Sequence, residues 1–283
     1  MLNRLLSTLF SLLAAALAGQ VAAANAGTPH NPVTVAATNG EVIDKGLALA
    51  RETDLRDSGF GDIVATGEII NKSANGASNR RVFEMVTVEM DDDGDRRFVK
   101  VTAPASMKGT LFLSHAHALE ADDVWVLLPR SPRLRRISAR DKTGRFLSSE
   151  LTLEDISPWQ VEKYTYRYIR EEACGAQGER RCHLIENTPA YQHSGYSRQL
   201  EWLDAEIYQP RRIEYYDGAN QLVKALEFTK YRQFSERYWR PMYMRMHNLQ
   251  SGDESEIFWD NYQVASGYTP EQVSPTNIVR LKR

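Results

Sequence analysis

Residues 80–102 read Arg80-Arg-Val-Phe-Glu-Met-Val-Thr-Val-Glu-Met90, then Asp91-Asp-Asp-Gly-Asp95, then Arg96-Arg-Phe-Val-Lys-Val-Thr102. Side chains alternate with a period of two on both sides of an Asp/Gly cluster, the pattern of two strands joined by a hairpin turn. Phe83 and Met85 project to one face, and Val82, Val86 and Val88 to the other. A sheet with one face in water would not be apolar on both sides. One face must therefore meet something else, either helices or an apolar ligand.

The same pattern extends outward. Strands are expected at Ile63–Ile70, Leu111–Ser114, Val124–Leu128 and Leu134–Ser138. Trp125 and Leu127 oppose Val124, Val126 and Leu128, again apolar on both faces. In the later half, Tyr164, Tyr166 and Tyr168 share one face, and strands follow at Arg198–Asp204, Arg211–Tyr216, Leu222–Tyr231 and Met242–Asn248, continuing to the end of the chain. No helical run long enough for a βαβ crossover separates them, so the sheet is expected to be antiparallel and strongly curved. Two helices are expected to accompany it. One opens at Thr38-Asn-Gly-Glu and carries Ile43, Leu47, Ala50 and Leu55 on helical spacing; the other is a short lid helix at Thr152–Ile156, stopped by Pro158.

The N-terminus reads as an address. Arg4 precedes an apolar run from Leu5 to Leu17, and Ala22-Ala-Ala24 or Ala24-Asn-Ala26 fits a small-x-small cleavage site. The run is shorter than the roughly 20 residues a membrane span needs. A cleaved secretory signal at 1–24, a flexible leader at 25–39 and a single domain at 40–283 are expected, which makes the protein periplasmic. In an oxidising compartment Cys174 and Cys182, flanking a turn with Gly175 and Gly178, are expected to pin a hairpin as a disulfide. A metal site using His183 is the alternative, but it lacks a second close ligand pair.

The 283 residues carry 35 Lys and Arg against 37 Asp and Glu, a net charge of −2 with 25% charged side chains, which excludes a disordered polymer and a highly basic nucleic-acid binder. Neither a G-x-S-x-G elbow, H-E-x-x-H, Walker A nor G-x-G-x-x-G pattern occurs, so no enzyme, metal or cofactor is expected. His115 and His117 have no third ligand at useful local spacing, and Lys100 stands where a calcium loop over Glu89–Lys100 needs its bidentate Glu. His193, Ser194 and Asp204 read as loop and strand-surface residues, not as a triad. Arg130, Arg133, Arg135 and Arg136 form a basic run that reads as an exposed strand or as a contact for lipid headgroups or a partner.

Three runs, Asp123-Val-Trp-Val-Leu-Leu-Pro-Arg130, Arg133-Leu-Arg-Arg-Ile137 and Arg145-Phe-Leu-Ser-Ser-Glu-Leu-Thr-Leu-Glu-Asp-Ile156, resemble the outer-membrane lipoprotein-sorting-like family of LolA and LolB relatives. Tyr208-Gln-Pro-Arg-Arg-Ile-Glu-Tyr-Tyr-Asp217, Lys224, Trp239-Arg-Pro241 and Met244-Arg-Met-His-Asn-Leu-Gln-Ser-Gly252 follow in the family's order. The resemblance runs from Glu41 onward. The chain departs from it at Ser148-Ser-Glu150, where the family pattern has Gly-Ser-Asp, and in adding the cysteine pair.

The resemblance implies a mainly β (α+β) fold: a half-open antiparallel barrel covered by helices, whose concave face takes up acyl chains of lipid or lipoprotein. The wall residues expected on that basis are Phe83, Met85, Val99, Val101, Leu111, Leu113, Trp125, Leu127, Met244 and Met246, with Ile43–Leu55 and Thr152–Trp159 as lids. Family membership suggests service to an inner-membrane exporter of the resistance-nodulation-division type, and a monomer is expected. The alternative is a non-transporting envelope module that docks a membrane partner.

Overall fold

The computed structural model describes residues 38–280 except 92, 119 and 132. The expected signal and most of the expected leader lie outside the described residues. The first element is helix α1, Asn39–Asp57. Thr38 caps it: the Thr38 hydroxyl accepts from the Glu41 N–H at 3.3 Å, and the Glu41 carboxylate accepts from the Thr38 N–H at 2.7 Å.

Thirteen strands follow: β1 Asp62–Lys72, β2 Ser78–Val88, β3 Arg96–Ala103, β4 Leu111–His115, β5 Asp123–Leu127, β6 Arg135–Ile137, β7 Tyr164–Cys174, β8 Arg180–Pro189, β9 Arg198–Asp204, β10 Pro210–Tyr216, β11 Leu222–Phe234, β12 Tyr238–Asn248 and β13 Glu254–Val264. They form one antiparallel sheet in the order β6-β5-β4-β3-β2-β1-β13-β12-β11-β10-β9-β8-β7. Two meanders thus meet where β1 pairs with β13, and the sheet ends at β6 and β7 without closing. The segment between those edge strands, residues 138–163, crosses the concave face and packs Phe146, Leu147, Leu151 and Leu153 against Phe83, Val101 and Met246. Cys174 and Cys182 are joined across the β7–β8 hairpin, with Cα atoms 5.8 Å apart.

Two glycines permit close approaches. A Cβ on Gly46 would lie 2.9 Å from the Tyr168 backbone nitrogen, so α1 can seat directly on the edge strand β7 only because this position is bare. Gly67 pairs with Phe83 across β1 and β2, and the Phe83 ring fills the space its side chain would take. Docking through Gly46 also sets which helix face is buried. Leu49 and Ala50, three and four residues on, are 8% and 4% exposed, whereas Ile43 and Leu55 are 49% and 64% exposed. The large apolar residues of the expected stripe partly face outward because the closest contact selects a small one.

The convex face has two characters. Over β2–β5, Val86, Val88, Phe98, Leu111, Leu113 and Leu127 lie beneath Val273 and Ile278 of the C-terminal segment. Residues 265–280 are therefore not a further strand but a cover, tied down by Arg96 donating to the Pro270 carbonyl at 2.8 Å. Over β9–β13 a row of paired positions carries Trp202, Arg212, Glu227, Arg245 and Glu256 in strand order, an oppositely charged cross-strand ladder facing water.

The expected short lid helix is also corrected. Thr152 makes an isolated bridge to Arg145, and turns follow; among the described residues α1 is the only α-helix, accompanied by 3-10 pieces at Ala139–Thr143, Phe146–Ser148 and Val161–Lys163. Thr152 and Asp155 do exchange reciprocal hydrogen bonds as at a helix start, the Thr152 N–H donating to Asp155 at 2.7 Å and the Asp155 N–H to the Thr152 hydroxyl at 3.2 Å. The helix goes no further because the Asp155 carboxylate is drawn to the sheet and Pro158 supplies no N–H. No described helix is long and apolar enough to cross a membrane.

Candidate ligand cavity

The concave face holds a cavity of about 700 Å³. Its floor comes from alternate residues of neighbouring strands: Ile69 of β1, Phe83 and Met85 of β2, Val99 of β3, Leu226 and Phe228 of β11, Met244 of β12, and Ile257 and Trp259 of β13. Ala50 and Thr53 of α1 close one side, and Phe146, Leu151, Ile156 and Trp159 of the crossing segment form the roof. Aromatic contacts stiffen the floor. The Phe83 ring stands edge-on to Trp259 at 5.5 Å and to Phe146 at 6.0 Å, while the Trp259 indole N–H donates to the Met244 sulfur at 3.1 Å.

The roof is latched through buried polar groups. Lys224 donates to Asp155 at 2.6 Å and to the Glu150 carbonyl at 3.2 Å, and the Tyr196 hydroxyl donates to Asp155 at 2.8 Å. Glu154 accepts from Tyr191 at 2.5 Å, Ser194 at 2.6 Å and the Gly195 N–H at 2.8 Å. Asn248 donates to the Glu150 carboxylate at 2.7 Å, and Arg145 pairs with the same group. Ser194 is thus a latch residue, far in role from Asp204, which caps the Glu206 and Ile207 N–H groups and pairs with Arg211 at 2.8 Å.

Of the wall residues expected from the sequence, Phe83, Met85, Val99 and Met244 line the cavity. Val101 and Met246 share that face but are each 0% exposed beneath the crossing segment. Leu111, Leu113, Trp125 and Leu127 are corrected: they sit on the convex face under the C-terminal cover. The cause is register. Val99 pairs with Phe112, so Leu111 and Leu113 belong to the opposite face, and a one-residue offset reverses every side chain. Arg130, Arg133, Arg135 and Arg136 are exposed at the β6 end of the sheet, with Arg136 paired to Asp123, and none lines the cavity.

The rest of the wall is polar. Asp54 and Asp57 end α1, Glu89 and Asp95 flank the β2–β3 turn, and Glu162 lies beside them on the lining. Burial raises Asp54, and the neighbouring charges of Glu162, Asp57 and Glu89 raise it further. Burial pushes Asp95 up to about 6. At the β8–β9 end the wall carries Asn187, Gln199 and Glu201, brought to one face with Ile185 by the pairings Ile185–Glu201 and Asn187–Gln199; alternation alone does not mark them, because Gln199 and Glu201 between Leu200 and Trp202 read as the water-facing side of a strand. Among the described residues no group of three or more His, Cys, Asp and Glu side chains is placed to hold a metal.

An unclosed antiparallel sheet with a roofed cavity on its concave face defines the class, a half-barrel of LolA type. A LolA superfamily protein from Nitrosomonas europaea has this fold, with a TM-score of 0.62 at 17% identity over 84% of this chain and 98% of that one. An outer membrane lipoprotein-sorting protein domain from Vibrio parahaemolyticus is 35% identical, with a TM-score of 0.81 over 84% of this chain and 100% of its own. A DUF1329 family protein from Desulfovibrio piger is 26% identical, with a TM-score of 0.77 over 84% of this chain and 99% of its own. A protein-family model described as an "uncharacterized protein" matches residues 93–280. None of the curated proteins compared matches the chain. The chain belongs to the outer-membrane lipoprotein-sorting-like family.

Proposed function

We propose that the protein is a periplasmic carrier that shelters the acyl chains of a lipid or lipoprotein in its half-barrel cavity. The observation that carries this reading is the 700 Å³ space on the concave face, floored by Phe83, Met85, Val99, Met244 and Trp259, in a member of this family. Its volume is within the range of roughly 300–1,000 Å³ typical of small-molecule sites. Uptake needs no acid, base or nucleophile. Each buried methylene contributes about 0.8 kcal/mol, so a twelve-carbon chain gains roughly 9 kcal/mol before ordering losses. The wall around Met244 also suits variable cargo, since a thioether adapts its shape to its contacts.

On this reading the protein acts as an exported monomer that receives cargo from, or delivers it to, an inner-membrane exporter of the resistance-nodulation-division type. The exposed Arg130, Arg133, Arg135 and Arg136 supply the face that meets anionic headgroups or that partner. The test is uptake of a fluorescent acyl probe by the wild type and by Met244→Glu. The wild type takes up the probe, and the variant, which places a charge on the floor, loses uptake while keeping its β-sheet circular dichroism. Unchanged uptake in a folded variant would show that this wall does not hold the ligand.

A further inference from the structure

Glu201 stands at the β8–β9 end of the cavity wall without a counter-ion. Its carboxylate accepts from the Asn187 side-chain N–H at 2.6 Å, and among the described residues no other partner reaches it. It lies deep in the protein yet keeps partial accessibility, and it lines the cavity. Burial raises the Glu201 pKa above the usual carboxylate value, and the Asn187 hydrogen bond, the smaller influence, lowers it; no Lys or Arg contributes.

The cations on the wall are committed elsewhere. Arg97 donates to Thr87 at 2.9 Å and to the Ile156 carbonyl, Lys163 pairs with Asp122, and Arg240 pairs with Asp57. The nearby Tyr166 hydroxyl donates to the Val161 carbonyl at 2.9 Å, so it does not satisfy Glu201 either. Beside the carboxylate, Asn187 is 2% exposed, lines the same cavity, and its side-chain oxygen has no hydrogen-bond partner. A buried acceptor left unpaired and a buried carboxylate left without a cation are each unfavourable by kilocalories. The Asn187 oxygen needs a hydrogen-bond donor and the Glu201 carboxylate a cation, and a protonated amine supplies both. Tyr166 and Tyr215 line the same cavity, and aromatic faces are favourable neighbours for an ammonium.

We infer that this end of the cavity receives the protonated amine of an otherwise apolar ligand, held by the Glu201 carboxylate and the Asn187 side-chain oxygen while the alkyl part lies over the Met244 floor. The inference rests on the carrier reading and names the polar chemistry of its cargo. An anionic fatty acid is disfavoured at this end, because its carboxylate would face Glu201.

The experiment is isothermal titration of the intact mature protein with dodecylamine, dodecanol, dodecanoate and dioctanoylphosphatidylethanolamine, repeated on Glu201→Gln and Asn187→Leu. The wild type binds dodecylamine at least tenfold more tightly than dodecanol and dodecanoate, and each substitution collapses that ratio toward one. Binding of the ethanolamine phospholipid with a similar preference would assign the amine to a lipid headgroup, and its failure to bind would assign it to a free amine; both uphold the inference. Equal wild-type affinities for amine and alcohol overturn it while leaving the acyl carrier in place, and that comparison needs no variant to fold. Binding of none of the four overturns the carrier reading and this inference together.

Discussion

Replacing Lys224 with Met removes the cation that holds the roof to the sheet. The Lys224 side chain is 8% exposed and that of Asp155 is 0% exposed, so the pair lies out of water and is not screened as a surface pair would be. Removing one member of such a pair typically destabilises by 3–5 kcal/mol, because the remaining charge is left buried. Asp155 keeps the Thr152 N–H at 2.7 Å and the Tyr196 hydroxyl at 2.8 Å, which places the expected loss at the low end, about 3 kcal/mol. For a domain of this size each kilocalorie moves the melting temperature by roughly 2–4 °C, so Lys224→Met is expected to melt about 6–12 °C lower. Lys224→Met combined with Asp155→Leu removes both charges but also strips the Thr152 N–H and the Tyr196 hydroxyl of their acceptor, so the double variant is expected to lose less than the sum of the two single losses. Differential scanning calorimetry of the two single variants and the double variant measures the coupling. A shift below about 2 °C for Lys224→Met, or additive losses in the double variant, would refute the idea that a desolvated ion pair secures the roof.

Four further outcomes follow from particular contacts. Gly46→Leu places a Cβ 2.9 Å from the β7 backbone, so α1 must lift; a loss of about 1–3 kcal/mol is expected in urea denaturation. Ser148 is exposed at φ 60, where the family pattern has glycine, so Ser148→Gly relieves left-handed strain and is expected to raise stability by up to about 1 kcal/mol. Cys174→Ser paired with Cys182→Ser opens a link between positions 8 apart, and a loss of roughly 2–3 kcal/mol of unfolding free energy is expected in urea denaturation. Asp95 has its pKa raised from 3.8 to about 6 by burial, so the native state holds a proton that the unfolded chain releases first. Its contribution is full below pH 4 and is lost as pH rises through about 6; Asp95→Asn should therefore flatten the decline between pH 4 and 7, seen in midpoints measured across that window.

The sheet was legible because hairpin turns such as Asp91–Asp95 and the period-two alternation are local properties, written in neighbouring residues. The capping of α1 at Thr38 and Glu41 is equally local. Facing was less legible. Leu111-Phe-Leu113 and Val124-Trp-Val-Leu127 are apolar at every position, so alternation alone assigns no side, and the pairing of Val99 with Phe112 depends on the length of the turn before β4. The true lining residues Leu226, Phe228, Ile257 and Trp259 carried a usable signal, since each pair is two residues apart on one strand. The roof could not be read as turns because Thr152–Ile156 has the composition of a helix start; what diverts it is the long-range attraction of Asp155 to Lys224, 69 residues away. Gly46 escaped notice for a related reason: a buried glycine on a helix has no hydropathy to mark it.

The central claim is that the concave cavity carries acyl cargo. Native mass spectrometry of the protein isolated from its own periplasm without detergent tests it most directly. The account predicts a population heavier than the mature chain by the mass of one acyl-bearing molecule, released on collisional activation and absent from Met244→Glu. A single species at the mass of the bare chain, unchanged after incubation with membrane lipid extract, would contradict it.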